Sequence, residues 1–481
     1  MEKKTDSNTS LDEKELKKKS LKYSIKDGAF ASAMSGFSES YIHAFVIFLK
    51  ATNTQIGLLT SIPQLVLALF QILAARMTDK YKQRKKIVLV SVFLNAMILF
   101  LIAFIPYLTE SVILLITLFS LYWLFNSFAG PAWSSWMGDL VDDDKRGKFF
   151  GRRNRITSFF SLISIFAAGL ILNYLSDING FLGFGVIFGI AGIARLISFY
   201  FLSKKYEPKY MPLDEDKFTF KQFLKRIGQT NFGLFTIYIC LMMFATQIAG
   251  PFIVVFQLKV LKFSYLQYST LIGAAAIVTF ITVKYWGEHS DDFGNKKMFE
   301  VTGILMFLIP TAWIFIRDFW FALLAVMVGA FIWAGFNLSS SNFIYDTVRP
   351  NKRTQAIAYY NVLKGIAIFL GASLGGILST VIPTPSFLMS NLIIVFIISA
   401  VLRLVVSVAL LPMIKEVKIV KHPPHFIHFL TIMPVQGIVF DSVSGMKVTY
   451  KKLRESFVII KNLKITKERL AKIKRRFIYR M

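Results

Sequence analysis

The amino-acid sequence predicts an all-α membrane protein in which twelve transmembrane helices form two repeats of six. The composition is the first indication, because 55% of the 481 residues are hydrophobic and only 17% are charged, which is typical of a chain that exposes much of its surface to lipid. The second is the recurrence of apolar segments of about 20 residues, the length that crosses a hydrocarbon core of about 30 Å. The third is an internal repeat with a period of about 200 residues.

The apolar segments fall into two groups of six. The predicted spans are 27–49, 55–76, 87–107, 112–137, 156–176 and 182–203, followed by 231–257, 265–286, 298–316, 319–343, 355–380 and 389–413. We expect a basic arm (1–26), a first six-helix bundle (27–203), a linker (204–230), a second six-helix bundle (231–413) and a basic tail (414–481).

Short sequence matches support the repeat. The segment Gly287 to Lys297 aligns without a gap on Ala75 to Lys85, 212 residues earlier. Further matches, at shifts of 207 or 208 residues, pair Asp139 with Asp346, Arg146 with Arg353, and Arg195 with Arg403. Because the matches occur in the same order at a nearly constant shift, the chain consists of two copies of one unit. We expect the two arginines of the last pair, near the ends of spans six and twelve, to be anchors at the membrane interface.

The loop between the second and third spans of the second half carries a recognisable pattern. It reads Gly-x-x-x-Asp-x-x-Gly-x-Lys, at Gly287, Asp291, Gly294 and Lys296. This pattern resembles the characteristic loop of the major facilitator superfamily, and the resemblance extends over roughly residues 20 to 415. It implies two six-helix bundles around a central site, which spans one, four, seven and ten line and which opens alternately to the two sides of the membrane.

The first-half copy of this loop departs from the family pattern. Asp79 and Arg84 match it, whereas Ala75 and Lys82 stand where the family has glycines. Since glycine allows the closest approach of two backbones, we expect the second-half loop to pack more closely than the first.

The resemblance also suggests that charges in the repeated loops form a cytoplasmic gate, which closes when the protein faces outward. The expected gate residues are Asp79, Arg84, Asp139, Arg146, Gly287, Asp291, Gly294, Lys296, Asp346 and Arg353. Each exposed ion pair contributes at most about 1 kcal/mol, so several must act together. The alternative is that these charges only cap helices and set the membrane topology.

The net charge of +28 arises from loops, and its distribution argues against nucleic acid as a partner. Lysines and arginines cluster after spans two and four, whereas the loops after spans three and five, 108–111 and 177–181, contain none. This alternation places both termini in the cytoplasm of a protein of the cell membrane. We expect a monomer whose basic arm, Lys14 to Lys26, and basic tail contact anionic lipid headgroups, with solvated termini as the alternative.

Glu39 is the most informative single residue, because it lies about midway along the otherwise apolar first span. A carboxylate at that depth costs several kcal/mol unless it faces a watery cavity, finds a partner or takes up a proton. Glu39 is therefore our candidate for proton coupling.

Other polar and aromatic residues occur in the spans that the resemblance places around the cavity. The candidates are Asn126 and Trp133 in span four, Gln247 in span seven, and Trp333 and Asn337 in span ten. Ordinary packing is the alternative for each of them. Lys364 in span eleven either extends its side chain to the cytoplasmic interface or serves as a cationic partner for Glu39 or for an anionic substrate.

Several function classes lack support in the sequence. The single cysteine, Cys240, excludes an internal disulfide, and no phosphate-binding Gly-x-x-x-x-Gly-Lys-Ser/Thr motif indicates an ATP-driven pump. His422, His425 and His428 have no cysteine or carboxylate at ligand spacing, so we expect neither a metal nor a cofactor, and no catalytic constellation indicates an enzyme. The predicted function is secondary active transport of a small solute. A multidrug-type efflux antiporter and a non-transporting membrane sensor or scaffold are the alternatives.

Overall fold

The computed structural model describes residues 2–142, 145–208 and 219–417, and the secondary structure in these ranges is helical. The helices are α1 (Glu2–Phe37), α2 (Ile42–Phe48), α3 (Asn53–Tyr81), α4 (Arg84–Leu108), α5 (Val112–Leu140), α6 (Arg146–Ser203), α7 (Phe220–Arg226), α8 (Asn231–Val255), α9 (Tyr265–Phe293), α10 (Asn295–Leu305), α11 (Leu308–Phe315), α12 (Phe319–Thr347), α13 (Pro350–Val381) and α14 (Leu392–Leu410). A π-helical turn, Phe256–Val260, extends α8, and α6 bends at Asn179, whose φ of −161° is not helical.

The predicted fold class is confirmed. Within the described ranges, eleven helical stretches are long and apolar enough to cross a membrane, and they correspond to predicted spans two to twelve. Spans five and six both belong to α6, on either side of its bend. The first predicted span consists of the end of α1 and all of α2, which a turn at 38–41 separates.

The two halves pack in the same way. In the first half α1 and α4 lie along α6, and α5 packs on α3 and α4; in the second half α8 lies along α13 and α14, and α12 packs on α9 and α10. The halves contact each other mainly through α3 with α13 and α6 with α9. A large apolar cluster continues across these contacts from one half to the other.

The repeat is visible in the backbone as well as in the sequence. Lys50 and Lys262, 212 residues apart, both adopt a left-handed conformation, with φ of 57° and 54°. A capping box follows each of them, formed by Thr52 with Gln55 before α3 and by Ser264 with Gln267 before α9. Each box satisfies two N–H groups at a helix start, so the same sequence device begins both helices.

Glycines bring α13 close to the helices on either side of it. A methyl group at Gly371 or Gly375 would collide with carbonyl oxygens of α8, and one at Gly365 would collide with Ala68 of α3. The close packing at Gly371 and Gly375, four residues apart, therefore lies within the second half, whereas the contact at Gly365 joins the second half to the first.

Hydrogen bonds join the two halves at several depths in the membrane. We call the end with the basic loops after α3 and α5 the basic end, and the other the opposite end. Thr54 and Thr380 share a hydrogen bond of 3.0 Å at the opposite end, where the Tyr268 hydroxyl also donates to the Ser40 carbonyl oxygen at 2.9 Å. The contact of α3 with α13 extends as far as Gln71 and Asn361, which lie in the third of each span nearest the basic end.

Parts of the arm and of the linker pack against the transmembrane helices. α1 continues without a break from Glu2 into the first span, and Ser20 and Ser24 of the arm are buried against the first half. α7 in the linker packs Phe220 and Phe223 on Tyr359 of α13. The histidine cluster and nearly all of the basic tail lie outside the described residues.

Candidate substrate and coupling site

Glu39 lies in the turn between α1 and α2, at the point where the first span is interrupted. The Ser35 hydroxyl donates to Glu39 Oε2 at 2.5 Å, and the Tyr122 hydroxyl of α5 donates to Glu39 Oε1 at 2.6 Å. Tyr122 is only 1% exposed. The carboxylate is thus turned into the first half, where two hydroxyl donors offset part of the cost of its burial.

Two tyrosines, one in the turn and one in α9, bond the turn that carries Glu39 to α6 and α9. Tyr41 donates to the Ile165 carbonyl oxygen of α6 at 2.6 Å, and Tyr268 of α9 donates to Ser40. The two rings meet edge to face, with 5.7 Å between their centroids. Any movement of α9 relative to α1 therefore disturbs the backbone beside Glu39.

The two candidates of span four, Asn126 and Trp133, contact different residues at different depths of α5. The Asn126 side-chain oxygen accepts a bond of 3.0 Å from Asn95 of α4, so it lies inside the first half. Trp133, two turns nearer the basic end, is covered by the guanidinium of Arg153 at 4.7 Å and by the ammonium of Lys205 at 5.7 Å.

Arg153 and Lys205 belong to a buried ion cluster that sequence analysis did not identify. Asp27 of α1 is 3% exposed and lies 3.5 Å from Lys205 Nζ and 3.8 Å from Arg153 Nη2. Burial lowers the pKa of Lys205 to about 8, although the ion pair with Asp27 opposes this shift. The cluster joins α1 to α6 and to the segment that follows it.

The candidates of the second half lie on α8 and α12. Gln247 is half-buried in α8. Trp333 meets Phe336 edge to face at 5.8 Å, and Asn337, one turn further along α12, is exposed. Their proximity to a bound solute stays a prediction.

Lys364 is half-buried in the first third of its span, on α13. Its Nζ lies 5.9 Å from the centre of the Tyr360 ring, one turn nearer the basic end. Cys240 of α8 lies at a similar level to Lys364, because the contacts of Phe235 with Tyr360 and of Phe244 with Gly371 bracket both residues. Glu39, by contrast, is bonded within the first half, so these two candidates are not brought together.

The gate residues of the first half interact within that half. Arg84 is fully buried and donates to Asp139 at 2.6 Å and to the Pro208 carbonyl oxygen at 3.1 Å. Arg146 donates to the Gly138 carbonyl oxygen at 2.8 Å. The side chain of the fourth candidate, Asp79, lies outside the described part of the chain.

The gate residues of the second half repeat this arrangement with one change. Arg353 donates to the Tyr345 carbonyl oxygen at 3.1 Å, as Arg146 does 207 residues earlier. Asp346, however, accepts a bond of 2.6 Å from the side chain of Asn295, the residue before Lys296. Lys296 instead pairs with Glu300 at 2.9 Å, and Asp291 is exposed near the end of α9.

The glycines of the second-half loop have different roles. Gly294 has a φ of 88° and a ψ of 153°, a conformation that residues with a side chain rarely adopt. Its counterpart Lys82 has a φ of 53° and ends α3 in the left-handed region. A Cβ atom at Gly287 would lie 3.9 Å from Leu338, an ordinary contact, so close approach at Gly287 does not distinguish the second loop in this conformation.

Sequence analysis was wrong about Arg195 and Arg403, which are buried rather than placed at the membrane interface. Arg403 is 1% exposed and donates to Met306, Thr246 and Ser399 at 3.0 to 3.3 Å. The Met306 carbonyl cannot accept from residue 310, because Pro310 has no N–H; it accepts from the Ile309 N–H at 3.4 Å and from Arg403. Arg195 is 8% exposed.

Tyr122 and Glu207 are further residues that the sequence did not reveal. Tyr122 is one of 18 tyrosines, and no local pattern separates it from the others. Glu207 accepts a bond from the backbone N–H of Lys85, and Glu416 accepts one from that of Lys296. The repeat contains a signal for this pair, because the two glutamates follow spans six and twelve at a spacing of 209 residues.

The sequence profile of the Major Facilitator Superfamily matches residues 28–287 and, again, residues 235–453. The chain belongs to the major facilitator superfamily. Two matches to one profile agree with the two repeats. No curated protein sequence is significantly similar to the chain.

Solved structures of superfamily transporters have the same fold. A mutant of the nucleoside transporter NupG superposes with a TM-score of 0.69 at 15% identity, over 82% of this chain and 100% of that one. A bacterial homologue of the human lysosomal transporter Spinster gives 0.61 at 15% identity, over 82% and 95%. Tetrameric PepTSo2 gives 0.61 at 13% identity, over 88% and 99%. At these identities the likeness concerns the fold.

Proposed function

We propose that this chain is a secondary active transporter that moves a small solute by alternating access and couples its movement to protons through Glu39. The observation that carries the proposal is the Glu39 carboxylate, held inside the membrane by the Ser35 and Tyr122 hydroxyls at the break between α1 and α2. An ionised carboxylate in a membrane protein is costly and marks an ion or proton pathway in most cases.

Protonation of Glu39 changes the bonds that hold this turn. The ionised carboxylate accepts bonds at both oxygens, whereas the protonated form has a hydroxyl that donates. A proton on Oε1 therefore competes with the bond from Tyr122, which links the turn to α5. Because Tyr268 of the second half holds the same turn at Ser40, we infer that proton uptake alters the contact between the two halves.

The described bonds between the halves favour an assignment of the conformation. They extend from the opposite end to Gln71 and Asn361, while the described bonds of Arg84, Arg146, Lys296 and Arg353 stay within their own halves. We infer that the central site of this conformation opens toward the basic end, which the charge distribution assigns to the cytoplasm of a cell membrane. The gate would then form in the other conformation, when the two basic-end surfaces meet.

A transport assay with a coupling variant tests the proposal. The purified full chain is placed in proteoliposomes, and a panel of labelled small solutes is screened for accumulation with and without an imposed pH gradient. For a solute that accumulates, Glu39→Gln should abolish gradient-driven accumulation and preserve solute exchange, because exchange requires no net change of protonation. Glu288→Gln is the matched control, since Glu288 is 66% exposed and pairs only with its neighbour Lys284. Full gradient-driven accumulation in Glu39→Gln would refute the coupling role.

A further inference from the structure

Lys364 lies in a seam between the two halves. Asn361 and Gly365 lie on the face of α13 that contacts α3 of the first half. Tyr360 and Gly371, on the other side, face α8: the Tyr360 ring stacks on Phe235 at 6.0 Å, and Gly371 meets the Phe244 backbone. The Lys364 side chain lies between these two faces, half-buried and part of the way into the membrane.

Four other buried or half-buried cations of the described residues have described partners, whereas the Nε of buried Arg195 has none. Arg84 pairs with Asp139, Arg153 and Lys205 pair with Asp27, and Arg403 donates to two carbonyls and a hydroxyl. Within the described residues Lys364 has neither an ion pair nor a hydrogen bond. Its described contact is with the Tyr360 ring, whose centre lies 5.9 Å from Nζ.

An unmatched ammonium at this depth is costly and is expected to serve a ligand. We propose that Lys364 binds the anionic group of the transported solute, so that the solutes of this protein are small organic anions. This inference rests on the proposed transport function. Lysine suits the task because its ammonium is a compact charge with three donors on a flexible stem, which can follow a carboxylate, sulfonate or phosphate group as the halves move.

The charges of Lys364 and Glu39 together explain how a proton and an anion are coupled. In the empty site, ionised Glu39 and charged Lys364 sum to zero. A proton on Glu39 with a monovalent anion on Lys364 again sums to zero, whereas either ligand alone leaves one net charge inside the membrane. Because a net charge in the interior is costly, the empty and the fully loaded sites change conformation more readily than a half-loaded one. The result is symport of one proton with one monovalent anion.

The rate at which charged reagents modify Cys240, the single cysteine of the chain, tests this site even when the solute is not identified. Cys240 is half-buried in α8 beside Lys364. The purified full chain is treated with a sulfonate-bearing and with a trimethylammonium-bearing methanethiosulfonate, and the two rates of Cys240 modification are divided. Because both reagents attack the same thiolate, the ratio cancels any effect of Lys364 on the thiol itself.

The proposal predicts that the wild-type ratio favours the anionic reagent and that Lys364→Met lowers it about tenfold, since one unit charge in a partly desolvated site changes the free energy of an anion by more than about 1.4 kcal/mol. Lys364→Arg should retain the wild-type ratio, and Lys284→Met, which removes an exposed lysine of α9, should not alter it. An unchanged ratio in Lys364→Met, or a wild-type Cys240 that neither reagent reaches, would overturn the anion site. Neither result bears on solute accumulation in proteoliposomes, so the proposed transport function is judged separately.

Discussion

The backbone N–H of Lys85 donates a hydrogen bond of 3.0 Å to the carboxylate of Glu207. This bond ties the first turn of α4 to the segment that follows α6. The second half repeats it, since the Lys296 N–H donates to Glu416 at 2.8 Å. A carboxylate at a helix start receives unpaired N–H groups and the positive end of the helix dipole, so both halves fix the loop after their second span in the same way.

Neutralising either glutamate should therefore destabilise its own half. We expect Glu207→Gln and Glu416→Gln each to lower the free energy of unfolding by about 1 kcal/mol, because a bond to an ionised acceptor becomes a bond to a neutral one. Thermal unfolding of the purified protein in detergent measures the change, with the exposed Glu288→Gln as the control. Equal melting temperatures in all three variants would show that the two bonds contribute nothing.

The repeated turn after α3 and α9 predicts opposite effects of two glycine substitutions. Gly294→Ala should destabilise the protein, because a side chain is strained at a φ of 88° and a ψ of 153°. Lys82→Gly should stabilise it by up to about 1 kcal/mol, because Lys82 already pays for a left-handed conformation at a φ of 53°. Melting temperatures that fall in both variants would contradict the assigned backbone geometry.

The buried Lys205 predicts a dependence of stability on pH. Its pKa is about 8 in the folded protein and 10.5 in an ordinary environment. Between these values the folded state releases a proton that the unfolded state keeps, so the free energy of unfolding rises with pH in this window. We expect the melting temperature of the wild type, relative to Lys205→Met, to increase between about pH 7 and about pH 9.5. A constant difference would place Lys205 in contact with water.

The orientation in the membrane can be tested with single cysteines in a Cys240→Ser background. The distribution of basic residues predicts that Ser111→Cys, at the start of α5, reacts with an impermeant reagent added outside intact cells. Asp292→Cys, near the end of α9, should react only after permeabilisation. The reverse pattern would exchange the two sides of the membrane and would reassign the gate to the outer surface.

If the gate exists, substitution of its aspartates should affect transport although these residues lie outside the central site. Asp79→Asn and Asp291→Asn should reduce transport at normal expression and increase the labelling of cavity cysteines from the cytoplasm, because the outward-facing conformation loses cross-half attractions. Each attraction is worth at most about 1 kcal/mol, so we expect partial rather than complete loss. Normal transport in both variants would favour the alternative that these charges only set topology.

The sequence alone predicted twelve spans, two repeats and a carboxylate at mid-membrane depth. These features depend on local composition and spacing: apolar length, the alternation of basic loops, and matches at a shift of about 210 residues. The left-handed pair Lys50 and Lys262 shows how closely a repeated sequence gives a repeated backbone. Glu39 was identified from local sequence too, because the free-energy cost of placing a carboxylate in the membrane depends only on that residue and on the apolar segment around it.

Only the tertiary structure decided which partners these residues have. Tyr122 lies 83 residues after Glu39, and no local pattern marks it as the tyrosine whose hydroxyl faces that carboxylate. Arg195 and Arg403 occupy equivalent places in the repeat, but the partners described for Arg403 include the Met306 carbonyl, to which Pro310 cannot donate. Periodicity and composition determine how often and where a chain crosses the membrane, because each helix satisfies its own backbone there. The partners of a buried charge depend on helices far apart in sequence, so they are determined only when the two bundles pack.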